Sequence, residues 1–217
     1  MAVTTWDPAA KGANINLTNG NLTATSTSTA ASSTHGTGGY LGNSALLLYY
    51  EATVVTVINS LNSFGVGISS SGSGLAQYLG QSSIGTGLYQ NGKVLNNTVT
   101  ITTIFTFAAG AVIGIAVNFT AQKLWFTING TTWNNAAIGS QNPVTNTGGI
   151  TTTVNNNPFV VSAVYQTVVP CFGTNSNTGN VVTANFGATA FSYAVPSGFT
   201  AWDPVVASQS ARALVLA

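Results

Sequence analysis

The chain has 217 residues, 45% of them hydrophobic and only 3% charged, against about 25% charged in an average globular protein. This length holds one large β domain or two small ones around a substantial core, and no apolar run reaches the roughly 18 residues that span a bilayer. Four cations (Lys11, Lys93, Lys123, Arg212) cannot track a nucleic-acid backbone, and three acids (Asp7, Glu51, Asp203) cannot build an acid-rich metal loop. Solubility must come from Asn, Thr, Ser and Gly. Such a surface suits either an unusual habitat or a protein held within an assembly, because it lacks the repulsion that keeps molecules apart.

The first residues, MAVTTWDPAA, carry no basic start and no apolar stretch, so no signal peptide is expected. Residues 13–25 alternate apolar and polar around Asn19-Gly20, which predicts a hairpin with one solvated face. Residues 23–39 hold no large apolar side chain and read as a loop, a polar edge strand or both. Residues 46–58, LLLYYEATVVTVI with its leading leucine, form a long β-like run, and 69–74 (SSSGSG) a flexible tip. Asn91-Gly92 marks a second hairpin within 88–94, and 99–107 is again strand-like.

Residues 110–135, GAVIGIAVNFTAQKLWFTINGTTWNN, read as two strands around a short turn, closed by Asn129-Gly130. Gly114 and Ala116 are expected to face Leu124, Trp125 and Phe126, letting large rings sit over a close backbone as in a sandwich core. Residues 136–157 are rich in Asn, Thr and Gly and predict a long exposed loop, a kind usually functional or covered by a partner. Residues 158–172 and 181–186 are the last predicted buried strands. Trp202-Asp203-Pro204 repeats Trp6-Asp7-Pro8, and the final SQSARALVLA is apolar enough for a docking tail. No helical period precedes Val205, and strand signals recur throughout. The expected fold class is all-β, a two-sheet antiparallel β-sandwich, with 1–204 as one domain and 205–217 as a tail.

Chemistry finds little support. Glycoside hydrolysis needs two carboxylates about 5–10 Å apart. Asp7 and Asp203 precede prolines, where bonding to nearby backbone is the ordinary role, and Glu51 reads as a structural acid inside a strand. His35, the only histidine, lies in STHGTGG and is expected in solvent, away from any triad. Cys171, the only cysteine, forbids an internal disulfide and reads as a buried, inert thiol. No His/Cys cluster exists, and a weak calcium site from Asn and carbonyl oxygens is the one metal option left open. Gly36-Thr37-Gly38-Gly39 is too short for a phosphate cradle. The sequence predicts no enzyme and no cofactor. What remains is binding. Tyr40, Tyr78, Tyr89 and Trp133, with Asn134 and Asn135, lie near Asn/Ser/Gly-rich loops, a mixture that recognises protein surfaces or sugars. The other reading of these rings is that they cap the ends of the core.

The 110–135 segment resembles, in register along its length, the central motif of the SPRY family in its phage and bacterial version. Other segments agree in order: WDPAAKGANINLTNGNLTAT with the family's opening strands, YYEATV with its Glu-bearing strand, then FGVGI and GLYQNGK. NPVTNTGGI resembles the loop after the motif, and VTANFG with FSYAVPSGF the last strands. The resemblance implies a concanavalin-like SPRY jelly roll used for protein–protein interaction without catalysis, binding through loops at one end, with adjacent termini that put Trp6 and Trp202 in one environment. With the near-absence of charge it implies a bacteriophage virion structural protein, such as a head (capsid) decoration, fibre or tail component. Its expected partners are other virion proteins and further copies of itself, with no membrane insertion. The alternative is an adhesin or receptor-binding module for a host surface glycan.

Overall fold

The computed structural model describes residues 3–58, 63–151 and 157–203. Eighteen strands and no helix occur among these residues, so no described helix could cross a membrane. In chain order they are β1 (Trp6–Lys11), β2 (Ile15–Thr18), β3 (Thr23–Ser26), β4 (Ser32–Gly36), β5 (Tyr40–Leu41), β6 (Leu47–Thr56), β7 (Phe64–Ser70), β8 (Gly85–Tyr89) and β9 (Lys93–Asn96). There follow β10 (Val99–Thr103), β11 (Val112–Asn118), β12 (Lys123–Ile128), β13 (Ile150–Thr151), β14 (Val160–Val161), β15 (Val164–Tyr165), β16 (Thr167–Thr174), β17 (Val181–Asn185) and β18 (Thr200–Ala201).

Sixteen of the strands form the expected two-sheet sandwich, and β14 and β15 pair as a separate two-stranded sheet. The first sheet runs β1-β4-β16-β7-β8-β9-β10, with β5 also on β16. The second runs β13-β12-β11-β6-β17-β3-β2, with β18 beside β6. The central ladders are antiparallel, and β18 alone lies parallel to its neighbour. Pro170 sits inside β16 without breaking the sheet. It falls where β16 leaves β5 and joins β4, so its missing N–H removes no ladder bond on that side.

Between the sheets, alternate residues interdigitate. Leu48, Tyr50, Ala52 and Val54 of β6 and Ile113, Ile115 and Val117 of β11 meet Phe64, Val66 and Ile68 of β7 and Phe172 of β16. Each such side chain contributes about 1.5–3 kcal/mol when fully buried. Trp6 and Trp202 enter the same core from the two ends of the described chain. Trp6 packs on Phe186 (5.1 Å), Phe186 on Tyr50 (5.5 Å) and Tyr50 on Trp202 (5.7 Å). Asp203 accepts the Thr4 N–H at 2.8 Å, tying the ends together.

The outer faces are covered as well, and here the structure corrects the sequence. Gly114 and Ala116 point away from the other sheet. They lie under Tyr49, Trp125 and Phe199 on the outer face of the second sheet. A Cβ at Gly114 would stand 2.5 Å from the Tyr49 hydroxyl, so the close ring-over-backbone contact is real but on the opposite side of the sheet from that expected. Of the predicted last strands, 158–172 supplies most of the central strand β16 and 181–186 supplies β17, whereas most of FSYAVPSGF crosses this outer face as bends and turns. On the first sheet, Gly65, Gly87 and Gly173 let Tyr89 and Leu79 press on the backbone. Ser69 and Ser70, expected in a flexible tip, are buried strand residues. The expected 205–217 tail lies outside the described residues.

The polar 23–39 stretch holds loop at 27–31 and 37–39 but no edge strand: β3 lies between β17 and β2, and β4 lies between β1 and β16 with every one of its residues buried. His35 is therefore not in solvent. It is 2% exposed, opposite Cys171 across the ladder. Burial pushes its imidazole down from 6.5 to about 4, against a smaller opposing effect of Asp7. The native state thus holds the ring neutral while the unfolded chain protonates it near 6.5. The stabilisation is complete above about 6.5 and is lost as pH falls from there through about 4. That window is worth about 3 kcal/mol. Urea unfolding of wild type and His35→Leu at the two pH values measures it: the wild type should lose that much more stability on acidification, and equal losses would refute the account. Cys171 is buried as expected, and burial pushes its thiol up.

Candidate functional site

β12 ends in a turn with Asn129 and Gly130 at φ 50° and 63°, left-handed at both central positions, closed by the Thr131 N–H on the Ile128 carbonyl at 3.1 Å. The turn folds the chain back along β12. Thr127 bridges Trp133, the Asn134 N–H donates to the Phe126 carbonyl (2.8 Å), and the Phe126 N–H donates to Asn134 Oδ1 (2.9 Å). Asn134 Nδ2 and the Gly149 N–H both donate to Gln141 Oε1, at 2.9 and 2.8 Å, and Trp125 Nε1 donates to the Thr147 carbonyl at 3.1 Å. The 136–149 segment is exposed for much of its length but anchored to β12 by these bonds.

Across from it runs the segment fastened by Glu51. This carboxylate is 1% exposed and accepts the Tyr49 hydroxyl (3.0 Å) and the Ser192 and Tyr193 N–H groups (2.8 and 3.0 Å). Burial and the carboxylate together push the Tyr49 phenol up. Tyr193 is thereby set against Gly130, where an added Cβ would meet its ring at 2.4 Å.

Between the two segments lies a groove of about 550 Å³ lined by Trp133, Ile138, Asn142, Val144, Tyr193 and Pro196 among others. Ile138 is 64% and Val144 52% exposed, large apolar side chains on an otherwise polar loop. No charged residue lines the groove. Its chemistry is that of a rigid aromatic and aliphatic wall with amide and hydroxyl groups at the rim, suited to docking rather than to proton transfer.

The six sequence candidates divide. Trp133, Asn134 and Asn135 come together here, but the asparagines act on the fold: Asn134 is buried, and Asn135 Nδ2 donates to the Ile104 carbonyl at 3.2 Å. Tyr40 is half-buried elsewhere, edge-on to Phe119 and Trp202, its hydroxyl on the Trp202 carbonyl at 3.0 Å. Tyr89 is wholly buried on the other sheet, its hydroxyl on the Leu79 carbonyl at 2.8 Å, with Tyr78 packed edge-on to it. Tyr89 therefore presents no ring to a partner. Sequence reasoning missed Ile138, Val144 and Tyr193. The first two carried a signal, as lone large apolar residues within a run of Asn, Thr and Gly.

The carboxylates are occupied and dispersed. Asp7 accepts the Ala9 N–H at 2.8 Å, Asp203 ties down Thr4, and Glu51 holds Ser192 and Tyr193. No group of three or more His, Cys, Asp or Glu side chains gathers among the described residues.

No family model and no curated protein matches the sequence. Solved structures do match in shape. The SPRY domain of human HERC1 superposes with a TM-score of 0.62 at 15% identity, covering 85% of this chain and 99% of that one. The TRIM65 PSpry domain gives 0.53 at 12%, covering 85% and 92%. Stonustoxin gives 0.54 at 16%, covering 85% of this chain and 27% of the toxin. At such identities the likeness is one of fold, and the fold is the SPRY-type sandwich that the sequence motif implied.

Proposed function

We propose that this chain is a non-enzymatic structural and binding protein of phage type, a head decoration, fibre or tail component of a virion, acting by protein–protein contact through the Trp133–Tyr193 groove. The observation that carries the reading is the groove itself: exposed Ile138 and Val144 beside an aromatic wall, on a loop anchored by Gln141 and free of charge. A partner docking there gains apolar burial and loses no ion hydration. The SPRY-type fold supports an interaction role. The 3% charge content supports life within an assembly, where repulsion between molecules is no advantage. The 205–217 segment, apolar by composition, is a second attachment under this proposal.

Mass spectrometry of particles purified from lysates of the source culture should find the chain as a stoichiometric component. Its absence from particles sinks the proposal. In particles assembled with the double variant Ile138→Asp, Val144→Asp, incorporation should fall about tenfold or more, since each carboxylate must be desolvated on docking. Both positions are exposed, so unfolding stability should change by no more than about 0.5 kcal/mol apiece. A glycan array should show no binding by the isolated protein. Specific binding abolished by the same variant would move the assignment to a host-glycan adhesin.

A further inference from the structure

We infer that β10 is a self-association edge: two copies of this chain pair their β10 strands antiparallel about a twofold axis, joining their first sheets into one. This inference is independent of the groove and of the virion reading.

An exposed strand edge is a row of unpaired N–H and C=O groups that invites another strand, and folded proteins usually blunt it with charge, proline, short length or a covering segment. Three of the four edges of the two large sheets are blunted in those ways. β1 carries Asp7, Pro8 and Lys11. β2 has the Lys11 ammonium on its Ile15 carbonyl at 3.0 Å. β13 is two residues long, and Asn134 and Trp133 cover β12 beyond it. β10 has of such features only the register shift between Thr100 and Thr102. It is five residues, Val-Thr-Ile-Thr-Thr, with no charge and no proline, and four of the five are exposed, Val99 at 61% and Ile101 at 39%. In a chain with so few charges, the first sheet carries Asp7, Pro8 and Lys11 on its β1 edge and none of these on its β10 edge, and that contrast singles out β10.

The local geometry says which groups face outward. Asn97 and Thr98, at φ 52° and 62°, make a two-residue turn between β9 and β10. Such a turn makes Asn96 and Val99 the hydrogen-bonded pair, so Leu95 and Thr100 are the next, non-hydrogen-bonded pair, and the Thr100 N–H and C=O point to the open edge. The register shift between Thr100 and Thr102 limits regular pairing to the residues around Thr100. There a twofold axis sets Thr100 against its counterpart, each N–H donating to the other's carbonyl, and brings Val99 of each copy opposite Ile101 of the other.

The occupant is a second copy because the edge is self-complementary. A twofold axis sets every residue near it against its like. A charged edge would repel itself there, whereas Val, Thr and Ile do not. The net charge of +1 adds no long-range repulsion. Lys93, the nearest cation, sits one strand in, opposite Thr103 at the far end.

Sedimentation equilibrium of the full chain tests this. The wild type should show a concentration-dependent dimer. Thr100→Pro, which removes the outward donor, and Ile101→Lys, which sets like charges across the axis, should each raise the dimer Kd about tenfold or more. Each variant is read only if its unfolding transition matches the wild type. Ile138→Asp, in the groove, should leave the dimer intact. Amide exchange at Thr100 should slow as concentration rises. A monomer at the highest soluble concentration overturns the inference, as does a dimer that survives both β10 substitutions or one lost in Ile138→Asp instead.

Discussion

Trp202→Ala should cost about 4 kcal/mol of folding stability, a large share of the 5–15 kcal/mol that holds a typical domain. The indole is wholly buried and meets three rings at once: Tyr50 at 5.7 Å, Phe119 at 5.9 Å and Tyr40 at 6.1 Å. Its Nε1 donates to the Gly38 carbonyl at 2.9 Å, its own N–H donates to the Tyr49 carbonyl, and its carbonyl accepts the Tyr40 hydroxyl. Truncation therefore opens a cavity at the core and leaves the Gly38 carbonyl without its indole donor. The contacts join residues more than 150 positions apart in sequence, so the chain cannot relax into the space without moving β6 or β18. Urea unfolding at neutral pH measures the effect as a lower midpoint at unchanged slope. A loss under about 1 kcal/mol would mean that the site collapses freely and that Trp202 does not close the core.

Glu51→Ala should cost about 3 kcal/mol, because it strands two backbone N–H groups and the Tyr49 hydroxyl in a buried site at one stroke. Glu51→Gln should cost less, since one amide oxygen still accepts. The readout that separates this from a general loss of packing is local. Amide exchange over 190–196 should rise in both variants while β7 and β16 stay protected. Because Tyr193 lines the groove, Glu51→Ala should weaken docking there as well, whereas Trp202→Ala at equal folded population should not. Equal exchange over 190–196 in wild type and Glu51→Ala would show that the carboxylate does not fasten the segment.

Much of the sandwich was legible because its signals are local. Asn129-Gly130 closes a turn with both residues left-handed, as the dipeptide predicts. The residue 13–25 hairpin is β2 and β3, the long apolar run is β6, and Glu51 is the backbone-satisfied acid expected of it. The misreadings share one cause. Period-two alternation tells core from solvent only where one face is wet. β4, β7 and β8 are buried on both faces, so Ser-Ser-Thr-His-Gly looks like a loop in sequence and is an interior strand in space. The same ambiguity put Gly114 and Ala116 on the wrong face and made Tyr89 look available.

The sequence by itself determined the class of fold, the Asn-Gly turns and the long β6 run, because composition and backbone propensity act over a few residues. The tertiary structure decided which side of each strand faces the other sheet, how the 186–203 segment returns over β6 and β11, and that Trp133 meets Ile138, Val144 and Tyr193 in one groove. Those outcomes rest on contacts between residues tens to more than a hundred positions apart, such as Glu51 with Tyr193 and Trp202 with Tyr40. No local pattern encodes which of several apolar faces will be the one covered.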